Sequence, residues 1–114
     1  MRVLVVDDDR LVVDTLRALI EDLGHEAVGA TSGSEALDHF RRGRYDLVVV
    51  DLRMPQMDGA EVLHRLRLIN RDTRLVALTG QVLDLPDVLV AANIPLVRKP
   101  VFTKAAVSEL LSVG

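Results

Sequence analysis

The sequence predicts an α/β protein built on a mostly parallel sheet, and three observations carry that reading. Five short runs rich in Val, Leu and Ala alternate with segments of helical period. Three of those runs, 3–6, 47–50 and 75–78, are almost continuously apolar, as strands buried on both faces are. Four of the five runs close on residues that carry chemistry: Asp7-Asp8-Asp9, Asp51, Thr79-Gly80 and Arg98-Lys99-Pro100. Strands alternating with helices fold as α/β sheets with right-handed crossovers.

The elements follow in order. The first run, 3–6, leads into a helix whose apolar face is Val12, Leu16, Leu19, Ile20 and Leu23, with Gly24 placed to end it in a left-handed turn. A weaker run at 27–30 precedes Ser32 and Glu35, which have capping-box spacing and start a helix that carries Ala36, Leu37 and Phe40 inward and stops at Gly43. The third run ends at Asp51, and after Asp58 and Gly59 comes a helix with Val62, Leu63, Leu66 and Ile69 on one face. The fourth run ends at Thr79. Residues 81–93 are ambiguous, because Pro86 would break a helix interior. A fifth, weak run at 96–97 is followed by Thr103, placed to cap a last helix with Val107, Leu110 and Leu111 inward.

Bulk composition bounds the function. A chain of 114 residues can bury one real core, and with no internal repeat or linker the expectation is one domain over residues 1–114. A formal charge of −3 is too small to imply a nucleic-acid surface. The absence of cysteine excludes disulfides and thiolate metal sites. No apolar run approaches the roughly 18 residues that span a membrane, and no signal-peptide series is present, so the expected location is cytoplasmic. Twelve of the fourteen basic residues are arginine, so the two lysines, Lys99 and Lys104, stand out. His25, His39 and His64 lack metal-ligand spacing and are expected on the surface.

In open parallel sheets, ligands bind beyond the carboxyl ends of the strands. There the sheet would gather three carboxylates, a hydroxyl and an ammonium. Carboxylates held together repel and lose hydration, so the cluster needs a compensating cation. Oxygen ligands suit Mg²⁺ where waters and a phosphate complete its shell, with Mn²⁺ as the alternative ion. Lysine supplies a point charge and threonine a donor to an anionic group, and phosphate meets all these requirements.

These residues carry a resemblance. "VLVVDDD" (3–9), "DLVVVDLRMPQMDG" (46–59), "LVALTG" (75–80) and "VRKP" (97–100), in that order, make the whole chain similar to the CheY-like receiver domains of two-component response regulators. The resemblance implies a flavodoxin-like, doubly wound (βα)5 fold with five parallel strands in the order 2-1-3-4-5. It implies Asp51 as phosphoacceptor for a sensor histidine kinase or a histidine phosphotransfer protein. Asp7, Asp8 and Asp51, with the backbone carbonyl of Arg53, would hold the metal, while Asp9 caps the first helix. Thr79, Gly80 and Lys99 would bind the phosphoryl group, with Lys99-Pro100 as a cis bond. Met54, Pro55, Asp58 and Gly59 would shape the loop, and Arg53 and Gln81 would tune the acyl-phosphate lifetime.

Two departures from the pattern stand out. The position three before the lysine, often aromatic in the family, is Leu96, which puts coupling of Thr79 to an output surface in question. The 81–94 segment is unusually apolar, and Val82, Leu83, Leu85 and Leu89 would suit a homodimer through the 81–98 face or contact with an output domain. Three functions compete: a phosphorylation switch that modifies only itself and is not a metabolic enzyme, a phosphohydrolase, and a non-switching docking module. A phosphohydrolase of the aspartyl-phosphate type needs a second Asp two residues after the nucleophile, and here that residue is Arg53. The chain is either stand-alone or a piece of a larger one.

Overall fold

Strands β1 (Arg2–Val6), β3 (Leu47–Asp51) and β6 (Arg74–Thr79) are buried along almost their whole length and form the middle of a five-stranded parallel sheet. They are the three continuous apolar runs. The half-buried β2 (Glu26–Ala30) and β7 (Leu96–Arg98) are the weaker runs and lie at the two edges. The sheet order is β2-β1-β3-β6-β7, which is 2-1-3-4-5 when its five strands are counted in chain order. This is a computed structural model, and it describes residues 1–54, 57–80, 94–98 and 102–112. The expectations for Pro55, Gln81, Pro86, Lys99, Pro100 and the apolar 81–93 segment lie outside the described residues.

Helices cover both faces. One face packs Val3, Val5, Val49 and Leu78 against α1 (Arg10–Asp22) and α4 (Lys104–Ser112); the other packs Leu4, Val48, Val50 and Leu75 against α2 (Gly33–Arg42) and α3 (Gly59–Ile69). The alternation of side chains along each strand divides the core this way. Fully burying one such leucine contributes about 2–3 kcal/mol, so each face anchors the strand ends firmly.

Local signals set the helix boundaries. Asp9 accepts from the Leu11 amide at 2.9 Å and caps α1, as expected. Gly24 has φ +89°, and paired bonds close the turn: its amide donates to Glu21 O and that of His25 to Ile20 O. Gly24→Ala is therefore expected to cost about 1–2 kcal/mol, a Tm loss of about 4–10 °C. An unchanged melting curve would contradict this reading of the turn. Thr103 Oγ1 accepts from Ala106 N at 3.1 Å and starts α4.

Gly43 ends α2 as expected, with extended backbone at φ −137°. Three details differ from expectation. Val13 is fully buried on α1, whereas Val12 only packs against the edge of that core. Ser32 Oγ accepts from Glu35 N, but the Glu35 carboxylate accepts from Thr31 N, one residue earlier than a reciprocal box requires. Ile69, expected inward, is 42% exposed, because α3 reaches its last turn there and leaves the core. The three histidines lie at exposed or half-exposed positions, as expected.

Candidate functional site

Register decides what meets at the carboxyl edge. Val6 of β1 is paired with Val50 of β3, so Asp7 is level with Asp51. Asp51 in turn is paired with Leu78, so Thr79 lies one residue further along on the next strand, opposite Arg98. Asp51 and Thr79 are the last residues of β3 and β6, not the first beyond them. Strand pairing alone therefore aligns two carboxylates and a hydroxyl across three adjacent strands.

Asp7, Asp8 and Asp51 each offer a carboxylate oxygen, and these oxygens all lie within 4.8 Å of one another. Asp7 and Asp51 are 1% and 5% exposed, while Asp8 is exposed. The Asp7 amide donates to Ala30 O at 3.1 Å, and its carboxylate accepts from the Asp9 amide at 3.0 Å. Asp9 thereby caps the helix with its side chain and holds Asp7 with its amide, while its own carboxylate lies outside the group of three. Thr79 is 1% exposed, on the strand next to Asp51.

The charge balance of the cluster is unfavourable by itself. Desolvation first, then the hydrogen bond and negative charge of Asp7, raise the Asp8 carboxyl above its ordinary value of 3.8. The folded state thus holds a proton more readily than the unfolded chain. Stability falls as pH rises from 3.8 through the raised value, and the penalty persists above it. Asp8→Asn is expected to raise the metal-free Tm at neutral pH only slightly, by about 1–2 °C, because solvent screens an exposed carboxylate, and the gain shrinks as pH falls toward the carboxylate range. Thermal melts with chelator at a series of pH values check this, and a less stable Asn variant at neutral pH would contradict it.

The loop after Asp51 is built by a feature the sequence did not reveal. β4 (Arg53–Met54) and β5 (Met57–Asp58) pair antiparallel, Arg53 opposite Asp58. Each strand has two residues, too short for a period to show. Asp58 then caps α3, accepting from Ala60 N at 2.9 Å. Gly59 meets the site directly: a Cβ there would lie 2.3 Å from the Asp51 carbonyl oxygen and 2.7 Å from Leu52 Cα. Only a residue without a side chain lets the start of α3 rest on the end of β3. Gly80, by contrast, has no such constraint, since a Cβ would meet nothing within 4 Å. Leu96 is half-buried, paired with Ala77 and packed against the α2–α3 core.

Residues 3–109 match the model of the response regulator receiver domain. The chain belongs to this family. A response regulator receiver protein of Anaeromyxobacter sp. is 40% identical over 92 residues, which are 81% of this chain and 38% of that relative. The receiver thus spans under two fifths of that relative's length. Among solved structures, response regulator TrrA of Thermotoga maritima, in complex with Mg(2+)-BeF, is 33% identical and superposes with a TM-score of 0.85, covering 96% of this receiver and 95% of that chain. The complex of histidine kinase ThkA with TrrA matches at 32% identity and a TM-score of 0.84, covering 96% and 94%. The flavodoxin-like order and the family assignment stand as expected. Among the described residues, no helix of this receiver is long and apolar enough to cross a membrane.

Proposed function

We propose that this receiver accepts a phosphoryl group on Asp51 from the phosphohistidine of a sensor histidine kinase or phosphotransfer protein, in a Mg²⁺-dependent reaction, and that the modification shifts its conformation. The observation that carries the proposal is the cluster itself: three carboxylates with oxygens within 4.8 Å, two of them buried at neighbouring strand ends. A folded chain keeps such a cluster only where a cation and an anionic ligand offset its repulsion.

The donor set fits Mg²⁺: hard oxygen ligands from Asp7, Asp8 and Asp51, joined by the Arg53 carbonyl at the start of β4, with Mn²⁺ as a substitute. When bound, the ion supplies positive charge against the carboxylates and the phosphoryl oxygens. An Asp51 carboxylate oxygen attacks phosphorus, and the bond from phosphorus to the donor imidazole nitrogen breaks, its electron pair returning to the ring. Burial of Asp51 at the end of a central strand holds the nucleophile in place and limits water around it. In this reading the Thr79 hydroxyl, at the end of β6, would donate to a phosphoryl oxygen, and Lys99, which follows β7 in sequence, would be the cationic partner.

Thr79 and Leu96 lie on adjacent strands, so a move of Thr79 toward the phosphoryl group would be felt at Leu96 and the β7 edge. That edge, with the 81–98 face, is the surface proposed for an output domain, a partner or a second copy. The domain turns over no metabolite and works in the cytoplasm. The TrrA complexes with Mg(2+)-BeF and with ThkA support the ion and the kinase partner by analogy.

Intact-mass spectrometry after incubation with acetyl phosphate, with and without Mg²⁺, tests the proposal. One phosphoryl adduct that appears only with Mg²⁺ is expected. Steady phosphate release with many turnovers would favour a phosphohydrolase instead, and no adduct under any condition would favour a docking module.

A further inference from the structure

Strand β2 lies at one edge of the sheet and is paired with β1 on one side. That pairing turns every second backbone group the other way. Glu26 N donates to Met1 O at 3.0 Å and Ala30 O accepts from Asp7 N at 3.1 Å, so the N–H and C=O groups of Ala27, Gly29 and Thr31 face outward. Such a row is a template for one more strand, and folded chains commonly blunt it with charge or proline in the edge strand itself. Here the strand supplies neither: from Ala27 to Ser34 the sequence AVGATSGS holds no charged residue and no proline.

Two long side chains reach this edge instead, from helices on opposite faces of the sheet. Arg17 of α1 donates from Nε to Ala27 O at 3.2 Å, and the Glu35 carboxylate of α2 accepts from Thr31 N at 3.1 Å. Gly29, between them, makes the first contact possible. A Cβ there would lie 2.3 Å from Val13 Cγ1 and 3.1 Å from Arg17 Cδ, so the arginine stem runs across bare backbone. The His25 amide, next along the outward row, donates to Ile20 O at 3.2 Å at the end of α1.

An incoming strand would bond the outward row, and the two side chains hold a group at either end of it. A solvated arginine with one incidental bond would need neither the glycine beneath its stem nor a second side chain at the far end of the same row. Arg17 also meets Glu21 at 3.7 Å, an exposed pair that contributes little by itself. We propose that Arg17 and Glu35 guard the β2 edge and keep it from pairing with the β2 edge of a second copy of this chain across a two-fold axis. The proposal does not depend on the phosphorylation reading.

Sedimentation of the intact protein over a concentration series tests it, with Arg17→Ala, Glu35→Ala and the double variant beside the wild type. Between about 10 µM and about 1 mM the double variant is expected to self-associate about tenfold more tightly than the wild type, or more. Its Gly29 amide should become protected from hydrogen exchange as concentration rises. Two comparisons separate guarding from a general loss of stability. Glu35→Gln keeps an acceptor oxygen for Thr31 N, and Glu21→Ala removes the ion pair but leaves the bond to Ala27 O, so both should sediment as the wild type does. Association of the double variant no tighter than wild type, protection confined to residues outside β2, or association of Glu35→Gln or Glu21→Ala as tight as that of the double variant would each overturn the proposal. Should the double variant not fold, each single alanine variant is expected to associate several-fold more tightly with the same amide protected, and wild-type sedimentation of both would overturn it as well.

Discussion

Asp51→Asn is expected to abolish phosphoryl incorporation from acetyl phosphate, by at least about a hundredfold, while leaving the protein folded. An amide oxygen is a poor nucleophile and cannot give a stable acyl phosphate, so the loss follows from chemistry and not from damage. The stability effect runs the other way. Asp51 is one of three carboxylates whose oxygens lie within 4.8 Å, and it is almost fully buried. Removing its charge relieves repulsion and desolvation, so the metal-free Tm should rise by about 2–6 °C. Mg²⁺ should then stabilise the variant less than the wild type, because one charged ligand is gone. A variant that is labelled at the wild-type rate would place the acceptor elsewhere. A variant that no longer folds would mean that Asp51 serves the structure before it serves any chemistry.

The second large effect concerns a residue with no reactive group. Gly59→Ala puts a Cβ 2.3 Å from the Asp51 carbonyl oxygen and 2.7 Å from Leu52 Cα, and both are backbone atoms that cannot swing aside. Either the start of α3 or the end of β3 must move. The expected cost is about 1–3 kcal/mol, a Tm loss of about 5–20 °C. A displacement of a few tenths of an ångström at the nucleophile should also slow acetyl-phosphate labelling about tenfold or more. The two readouts separate causes. Destabilisation with an unchanged labelling rate would mean that α3 alone yields, and a wild-type Tm with a wild-type rate would contradict the close approach.

The residues most legible in the sequence were those whose environment is extreme. Strands buried on both faces leave uninterrupted apolar runs, and β1, β3 and β6 did so. A carboxylate directly after such a run has no packing reason to be there, which is why Asp7 and Asp51 were visible as a site before register placed them level. Caps at Asp9, Ser32 and Thr103 were equally readable, because side-chain capping acts over two or three residues. What the sequence hid was long-range or very short. Gly59 rests on Asp51 eight positions away, a backbone contact that no spacing rule encodes. The β4–β5 hairpin has too few residues to show alternation. Val13 displaced Val12 because adjacent valines fit the same helical period, and only packing chooses between them.

Reduction of the acetyl-phosphate-treated protein with borohydride converts an aspartyl phosphate to homoserine, and peptide mapping by mass spectrometry then locates the modified residue. Homoserine is expected at position 51 alone, dependent on Mg²⁺ in the labelling step. Conversion at Asp7, Asp8 or Asp9, or labelled protein with position 51 still aspartate, would contradict Asp51 as the acceptor.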